Sequence, residues 1–420
     1  MQIHGSVRVP GDKSITQRAL ILAAMARGTS HIGGALTSLD TRSAASALRA
    51  LGAGVSPLRA GQVIRIEGRG RLREAHTPLD CGNSGTAARL LLGLLAAHRF
   101  RAVVTGDRSL RRRPMARVTE PLALMGARFS GDADRLPIRI QGARLAPLRH
   151  ELPVSSAQLK SALLLAGLAG AVRVAVREPG GRSRDHTERL LRAFDYDVRE
   201  RDGWIEFDPV GRVTPFDLQV PGDFSSAIFL IGAALLAERG TLRLSGVGLN
   251  PTRTGALVVL QRMGAHVDVE PAGDTFGEPT GDLIVTSSEL RCTAVAPGEI
   301  PGLIDEIPML AVLASRARGC TTLRQVGELR VKESDRLALI AENLRALGTR
   351  AEASGNDLHV EGGESPPRGR VRTDGDHRLA MAFAVLGTVA GAHVVVDDTS
   401  CSDVSFPGFF ATLRQIGAAA

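Results

Sequence analysis

Lysine is almost missing from this chain. Of its 52 Lys+Arg residues only Lys13, Lys160 and Lys332 are lysine, so 49 are arginine. Aromatic residues are scarce as well, at 3% with one Trp and one Tyr, which argues against a platform on which single-stranded bases could stack. Long apolar runs are lacking: LLLGLLAA from residue 90 falls far short of a membrane span, and no basic head with an apolar stretch opens the sequence. A soluble, cytoplasmic protein with no membrane partner is therefore expected. The four cysteines, Cys81, Cys292, Cys320 and Cys401, have no metal-ligand spacing, so free thiols and no bound metal are expected.

What is present is positive charge. The formal net charge of +8 suits either nucleic acid or small anions. The basic residues run along the whole chain rather than along one stripe, which favours the anions. A lysine that persists against such an arginine bias marks a place where a compact, mobile ammonium serves and a planar guanidinium would not fit.

At 420 residues the chain exceeds what one core holds, so two domains are expected. Repetition supports this. LRALGA (48–53), LALMGA (122–127), LRAFDY (191–196), LQRMGA (260–265), LRALGT (344–349) and LRQIGA (413–418) are six versions of one helix ending, spaced by about 70 residues. Five carry a glycine after the last apolar position (Gly52, Gly126, Gly264, Gly348, Gly417), the residue that takes a left-handed turn without a Cβ clash, and Asp195 stands in the sixth. Apolar helical stretches followed by β-branched runs recur at a similar period, so each repeat reads helix, strand, polar loop, helix, strand. VPGDKSITQRALILAAM from Val9 matches VPGDFSSAIFLIGAALL from Val220, which makes the protein two similar halves. The expected fold is α/β, with two domains of three βαβαββ units each: residues 12–221 form the first lobe, and 1–11 with 222–420 the second. The joins at the two VPGD segments imply a hinge.

Six polar loops fall in phase before the first helix of each unit: GDKSITQR, GNSGTAAR, VSSAQLKS, GDFSS, IDEIPM and DGDHRLAM. Helix N-termini expose N–H groups and the positive end of the dipole, so such ends bind anions. Gathered at an interdomain cleft, they would suit a substrate carrying phosphate and carboxylate.

Nine segments, PGDKSITQRA, GNSGTAAR, RRRPM, SSAQLKSALLLAGL, SRDHTERLL, LNPTRTG, IDEIP, LRVKESDR and GDHRLAMA, occur in an order and spacing that resemble the enolpyruvyl transferase family, in its 5-enolpyruvylshikimate-3-phosphate synthase branch. The resemblance spans essentially the whole chain. It implies the inside-out α/β barrel fold of that family and transfer of the enolpyruvyl group of phosphoenolpyruvate to the 5-hydroxyl of shikimate 3-phosphate, with release of phosphate, in the shikimate pathway to chorismate and aromatic amino acids. It also implies no cofactor and no metal, and a monomer is expected.

Residue by residue, the resemblance assigns phosphoenolpyruvate to Lys13, Asn83, Gly85, Arg113, Gln158, Arg336 and Arg378. It assigns shikimate 3-phosphate to Lys13, Ser14, Arg18, Ser156, Ala157, Gln158, Arg184, Asp305 and Lys332. Catalysis falls to Lys13, Asp305, Glu333 and His377, with Asp305 near the reacting hydroxyl and Glu333 near the methylene. Guanidiniums suit this chemistry because they grip phosphate and carboxylate in forked pairs. Lys160, inside an otherwise apolar helix, is expected to stand behind the phosphate site.

Some members of the family carry a lysine where CSDVSFP places Val404, asparagine where Glu328 stands, and a second serine where Ala157 stands, so this chain resembles a more divergent bacterial subtype. Keeping Gly85 favours sensitivity to glyphosate. Two rival readings are a UDP-N-acetylglucosamine enolpyruvyl transferase and a basic repeat protein that binds nucleic acid. The first uses a loop cysteine that GDRSLRRRPM lacks, and the scarcity of aromatic residues speaks against the second.

Overall fold

The computed structural model of the chain describes residues 1–417; Ala418, which closes the LRQIGA segment, and the remainder of the second lobe to residue 420 lie outside the described residues. The chain divides into two compact units, one of residues 11–220 with 274–278, the other of residues 1–10, 221–273 and 279–420. It passes between them at Pro10–Gly11 and Val220–Pro221, and again at Gly273–Asp274 and Glu278–Pro279.

In the first unit, three helices form the centre: Lys13–Met25, Gly85–Ala96 and Ala157–Gly170. They are apolar nearly all round, the pattern of a helix enclosed on every side rather than lying on a surface. The outer helices read differently. His186–Ala193 turns Leu190 and Leu191 inward and leaves Arg192 outside. Gly93 explains the close fit at the centre, since a Cβ there would lie 2.1 Å from the carbonyl oxygen of Ala162. Gly93→Ala should therefore lower stability by about 1–3 kcal/mol in denaturant unfolding, as overpacking a filled core does, although alanine is the better helix former.

Three four-stranded sheets cover this core. Each repeats one plan: a parallel pair, then two antiparallel neighbours. In the second repeat, Leu79–Asp80 runs parallel to Arg101–Thr105, which is antiparallel to Ile138–Gln141, and Arg128–Ser130 closes the edge. The first repeat obtains its opening strand from the far end of the unit, where Asp217–Gln219 lies parallel to Arg27–Gly33 with Leu218 opposite Ile32. The unit is thereby closed on itself.

The second unit repeats the scheme around the helices Phe224–Leu235, Ile307–Ala314 and His377–Leu386. Its opening strand, Gln2–Val7, comes from the start of the chain and pairs in parallel with Arg239–Gly248. That is why residues 1–10 belong to this unit although residues 11–220 do not. Helices inside and small mixed sheets outside give the inside-out arrangement that the family resemblance implies.

Two details depart from the repeat reading. Gly52, Gly126, Gly264 and Gly348 do take positive φ after their helices, and Asp195 does so at φ 61°, but Gly417 is the final residue of the helix Phe409–Gly417 and has no left-handed backbone. The sixth repeat also stops short. After the parallel pair Arg368–Val371 and His393–Val396, a 3-10 turn Ser400–Val404 and that last helix replace the two antiparallel strands among the described residues. No helix among the described residues is long and apolar enough to cross a membrane.

Candidate active site

The six predicted loops do open helices, and five of the six helices are capped by a side chain just ahead of them. Asp12, Ser84, Ser156, Asp223 and Asp376 each accept a backbone N–H of the first turn. The helix Ile307–Ala314 begins after Glu306 without such a cap. Each cap fixes a helix start, and with it the side chains on the first turn.

In the first unit the predicted residues form two linked groups. One gathers at the helix Lys13–Met25. Lys13 Nζ lies 3.0 Å from the buried Asp40 carboxylate. Arg18, itself buried, donates from Nε to Thr187 Oγ1 at 2.7 Å, from Nη2 to Ser161 Oγ at 2.7 Å, and from Nη1 to the Ser14 carbonyl at 3.1 Å. Arg184 Nη1 approaches Ser14 Oγ at 3.5 Å. Two arginines, a serine hydroxyl and a lysine thus gather at one end of one helix, a set of donors whose chemistry suits phosphate and carboxylate.

The second group lies at the start of Gly85–Ala96. Arg113 Nη2 donates to Asn83 Oδ1 at 2.6 Å, and Asn83 Nδ2 donates to Asp107 at 2.7 Å. Arg89 Nη1 donates to Gln158 Oε1 at 2.7 Å, and Gln158 Nε2 donates to Thr86 Oγ1 at 2.9 Å, so the amide of Gln158 is oriented from both ends. Gly85 stands between the guanidiniums, where a Cβ would lie 2.9 Å from Arg89 Nη1 and 3.1 Å from Arg113 Nη1. Gln17 ties the two groups together by donating to Ser84 Oγ at 2.8 Å. Ser156 caps its helix by accepting from the Leu159 N–H at 3.5 Å, and Ala157 is the first helical residue beside it.

The second unit holds a denser cluster. Asp305 has the ammonium of Lys332 at 3.5 Å, Nη1 of Arg336 at 3.5 Å and Nη2 of Arg378 at 3.9 Å. Arg336 is fully buried and forks onto Asp376 at 2.7 and 3.2 Å, with Glu333 2.5 Å from Nη2. Burial alone would lower its pKa, but the Asp376 and Glu333 carboxylates outweigh that and hold it above the ordinary arginine value. Arg378 is in the opposite state. Burial, and then the neighbouring Arg336 guanidinium, push it below the ordinary value. Both guanidiniums are nonetheless paired with carboxylates, Arg378 with Asp305 and Glu306 at 3.9 Å each, so an incoming anion competes with these carboxylates for the charge. His377 opens the same helix as Arg378 and is buried. Lys332 and Glu333 lie in the loop ahead of the helix Arg336–Ala346 rather than within it.

Sequence reasoning missed several members. Arg89 and Thr86 sit inside GNSGTAAR, Asp376 inside GDHRLAMA and Glu306 inside IDEIP, so the motifs contained them without revealing which way they face. Arg253 of LNPTRTG donates to Asp223 at 2.7 Å and lies 3.8 Å from Glu306. Asp40 belongs to no predicted motif, and only the fold brings it to Lys13.

The thiols offer no competing chemistry at Cys81 and Cys401. Burial, then Asp80, pushes the Cys81 thiol up, and burial with Asp398 holds Cys401 at about 12, so neither presents a thiolate near neutral pH. Among the described residues no group of His, Cys, Asp and Glu is arranged to hold a metal ion.

Comparison with known proteins identifies the family. Residues 1–413 match the family described as EPSP synthase (3-phosphoshikimate 1-carboxyvinyltransferase). A 3-phosphoshikimate 1-carboxyvinyltransferase of Thermus thermophilus is 48% identical over 421 residues, covering 99% of this chain and 97% of that protein. One of Acidiphilium cryptum is 47% identical over 425 residues, at 99% and 95% coverage. Among solved structures, an EPSP synthase from Acinetobacter baumannii superposes with a TM-score of 0.86 at 38% identity, covering 99% of this chain and 95% of that one. The enolpyruvyl transferase NikO from Streptomyces tendae, at 19% identity, TM-score 0.78 and coverage of 99% and 95%, shares the fold.

Proposed function

This chain belongs to the EPSP synthase family, and from that premise we propose how its residues transfer the enolpyruvyl group of phosphoenolpyruvate to the 5-hydroxyl of shikimate 3-phosphate and release inorganic phosphate. The observation that carries the reading is Asp305 amid Lys332, Arg336 and Arg378. Phosphoenolpyruvate brings both phosphate and carboxylate, and its oxygens compete with Asp305 for those cations. Once displaced from them, the Asp305 carboxylate is available to the acceptor hydroxyl.

In the first step the acceptor oxygen bonds to C2 of phosphoenolpyruvate, its proton passes to Asp305, and the C3 methylene takes a proton from Glu333 to become a methyl group. In the second step the C–O bond to phosphate breaks, the departing phosphate takes the proton held on Asp305, Glu333 recovers a proton from that methyl group, and the vinyl double bond returns. Arg336 and Arg378 of the second unit, and Lys13, Asn83, Gly85, Arg113 and Gln158 of the first, are the residues proposed to bind phosphoenolpyruvate. Ser14, Arg18, Ser156, Ala157 and Arg184 hold the acceptor, and Lys332 its ring hydroxyl. His377 supports Arg378. One chain supplies both charge clusters for one pair of substrates, so a cytoplasmic monomer suffices.

Phosphate release from phosphoenolpyruvate with shikimate 3-phosphate, run beside UDP-N-acetylglucosamine, tests the proposal. Turnover with the first acceptor only is expected; turnover with the second, or with neither, overturns it. Gly85→Ala adds a narrower check. Its methyl group would press on the ends of Arg89 and Arg113, which can yield by a few tenths of an ångström. The KM for phosphoenolpyruvate should rise roughly tenfold, the cost of about one displaced charged hydrogen bond, with inhibition by glyphosate weakened in parallel. Unchanged constants for both would remove Gly85 from the site.

A further inference from the structure

Lys160 is among the most deeply buried large side chains in the protein, at 1% exposure in the first turn of the helix Ala157–Gly170. Its ammonium lies 3.0 Å from Glu178 and 2.8 Å from Glu188, and donates to the Ser183 carbonyl at 3.3 Å. Burial lowers its pKa, but Glu188 and Glu178 outweigh this and hold it above the ordinary lysine value, so the charge is retained. The contacts do not end there. Glu178 accepts the Ser183 N–H at 3.1 Å and also the Ser183 hydroxyl. Ser183 is the residue before Arg184, and Glu188 is the residue after Thr187, the acceptor of Arg18 Nε. Ser161, next to Lys160 on its own helix, accepts from both Thr187 and Arg18 at 2.7 Å.

We propose that Lys160 is a positioning residue that aims Arg184 and Arg18 together at the anionic groups of the acceptor substrate. One buried ammonium holds the segment 178–188 at two points: Ser183, which adjoins Arg184 itself, and Glu188, which adjoins Thr187, the acceptor of Arg18. The side chain itself has no exposed surface with which to touch a ligand. Lysine fits here because its three rotatable donors reach two carboxylates and a carbonyl in different directions, which a flat guanidinium cannot do in the same space. The inference rests on the acceptor being a phosphorylated acid held by Arg18 and Arg184.

The test uses the intact protein. Lys160→Met should raise the KM for shikimate 3-phosphate by about tenfold or more, a loss equivalent to at least one misaligned charged hydrogen bond, while the KM for phosphoenolpyruvate stays within about twofold. Ser183→Ala leaves the ion pairs intact and removes only the hydroxyl tie to Glu178, so it should fold normally and raise the same KM about threefold. If Lys160→Met does not fold, Ser183→Ala and Glu178→Gln decide the matter. Equal rises in both Michaelis constants, or no rise in the acceptor's, overturn the positioning role. Absence of turnover in the unmodified protein would instead count against the proposed function.

Discussion

Asp305→Asn should abolish most turnover while leaving phosphoenolpyruvate bound at least as well as before. The substitution keeps size and shape but removes the negative charge that Lys332, Arg336 and Arg378 share at 3.5 to 3.9 Å. Two effects then separate. Without a base at the hydroxyl, kcat should fall by about 10²- to 10⁴-fold, the usual contribution of a positioned proton acceptor. With the competing carboxylate gone, the three cations meet the anionic substrate unopposed, so its dissociation constant should fall or stay level. Steady-state kinetics and direct titration of phosphoenolpyruvate read the two separately. An Asn variant within about fivefold of the original kcat would exclude Asp305 as the base.

Arg336→Met should cost the most stability. The guanidinium is enclosed, and it neutralises Asp376 through a forked pair and Glu333 through a single contact. Removing it leaves these carboxylates facing an apolar side chain, and breaking a buried pair from one side costs about 3–5 kcal/mol. The damage should spread along the helix His377–Leu386, because Asp376 is also its cap, accepting the Arg378 N–H at 3.0 Å. Denaturant unfolding measures the loss. Arg336→Lys should recover part of the stability but not the fork, so phosphoenolpyruvate binding should stay weak. A methionine variant as stable as the parent would mean that the Arg336–Asp376 pair is already solvated.

Much of this protein can be read without coordinates, for identifiable reasons. Helix endings are local events: a glycine that takes positive φ after the last apolar turn shows in sequence at Gly52, Gly126, Gly264 and Gly348, and Asp195 served equally because its short polar side chain tolerates the same conformation. Gly417 did not follow, since the repeat around it is truncated and its helix simply runs on to that residue. The scarcity of lysine was informative too. Each of the three lysines ends on carboxylates that the fold places near it: Lys13 on Asp40, Lys160 on Glu178 and Glu188, Lys332 on Asp305.

The sequence by itself determined the period, the α/β repeat and the loops that open the helices, because all of these depend on neighbours a few residues apart. Only the tertiary structure decided which charges face one another. That Lys160 lies between two glutamates, that Arg336 forks onto Asp376, and that residues 2–7 supply a strand to the second unit are long-range pairings. Coulomb energy and strand pairing depend on distance in space, and separation along the chain carries no record of it.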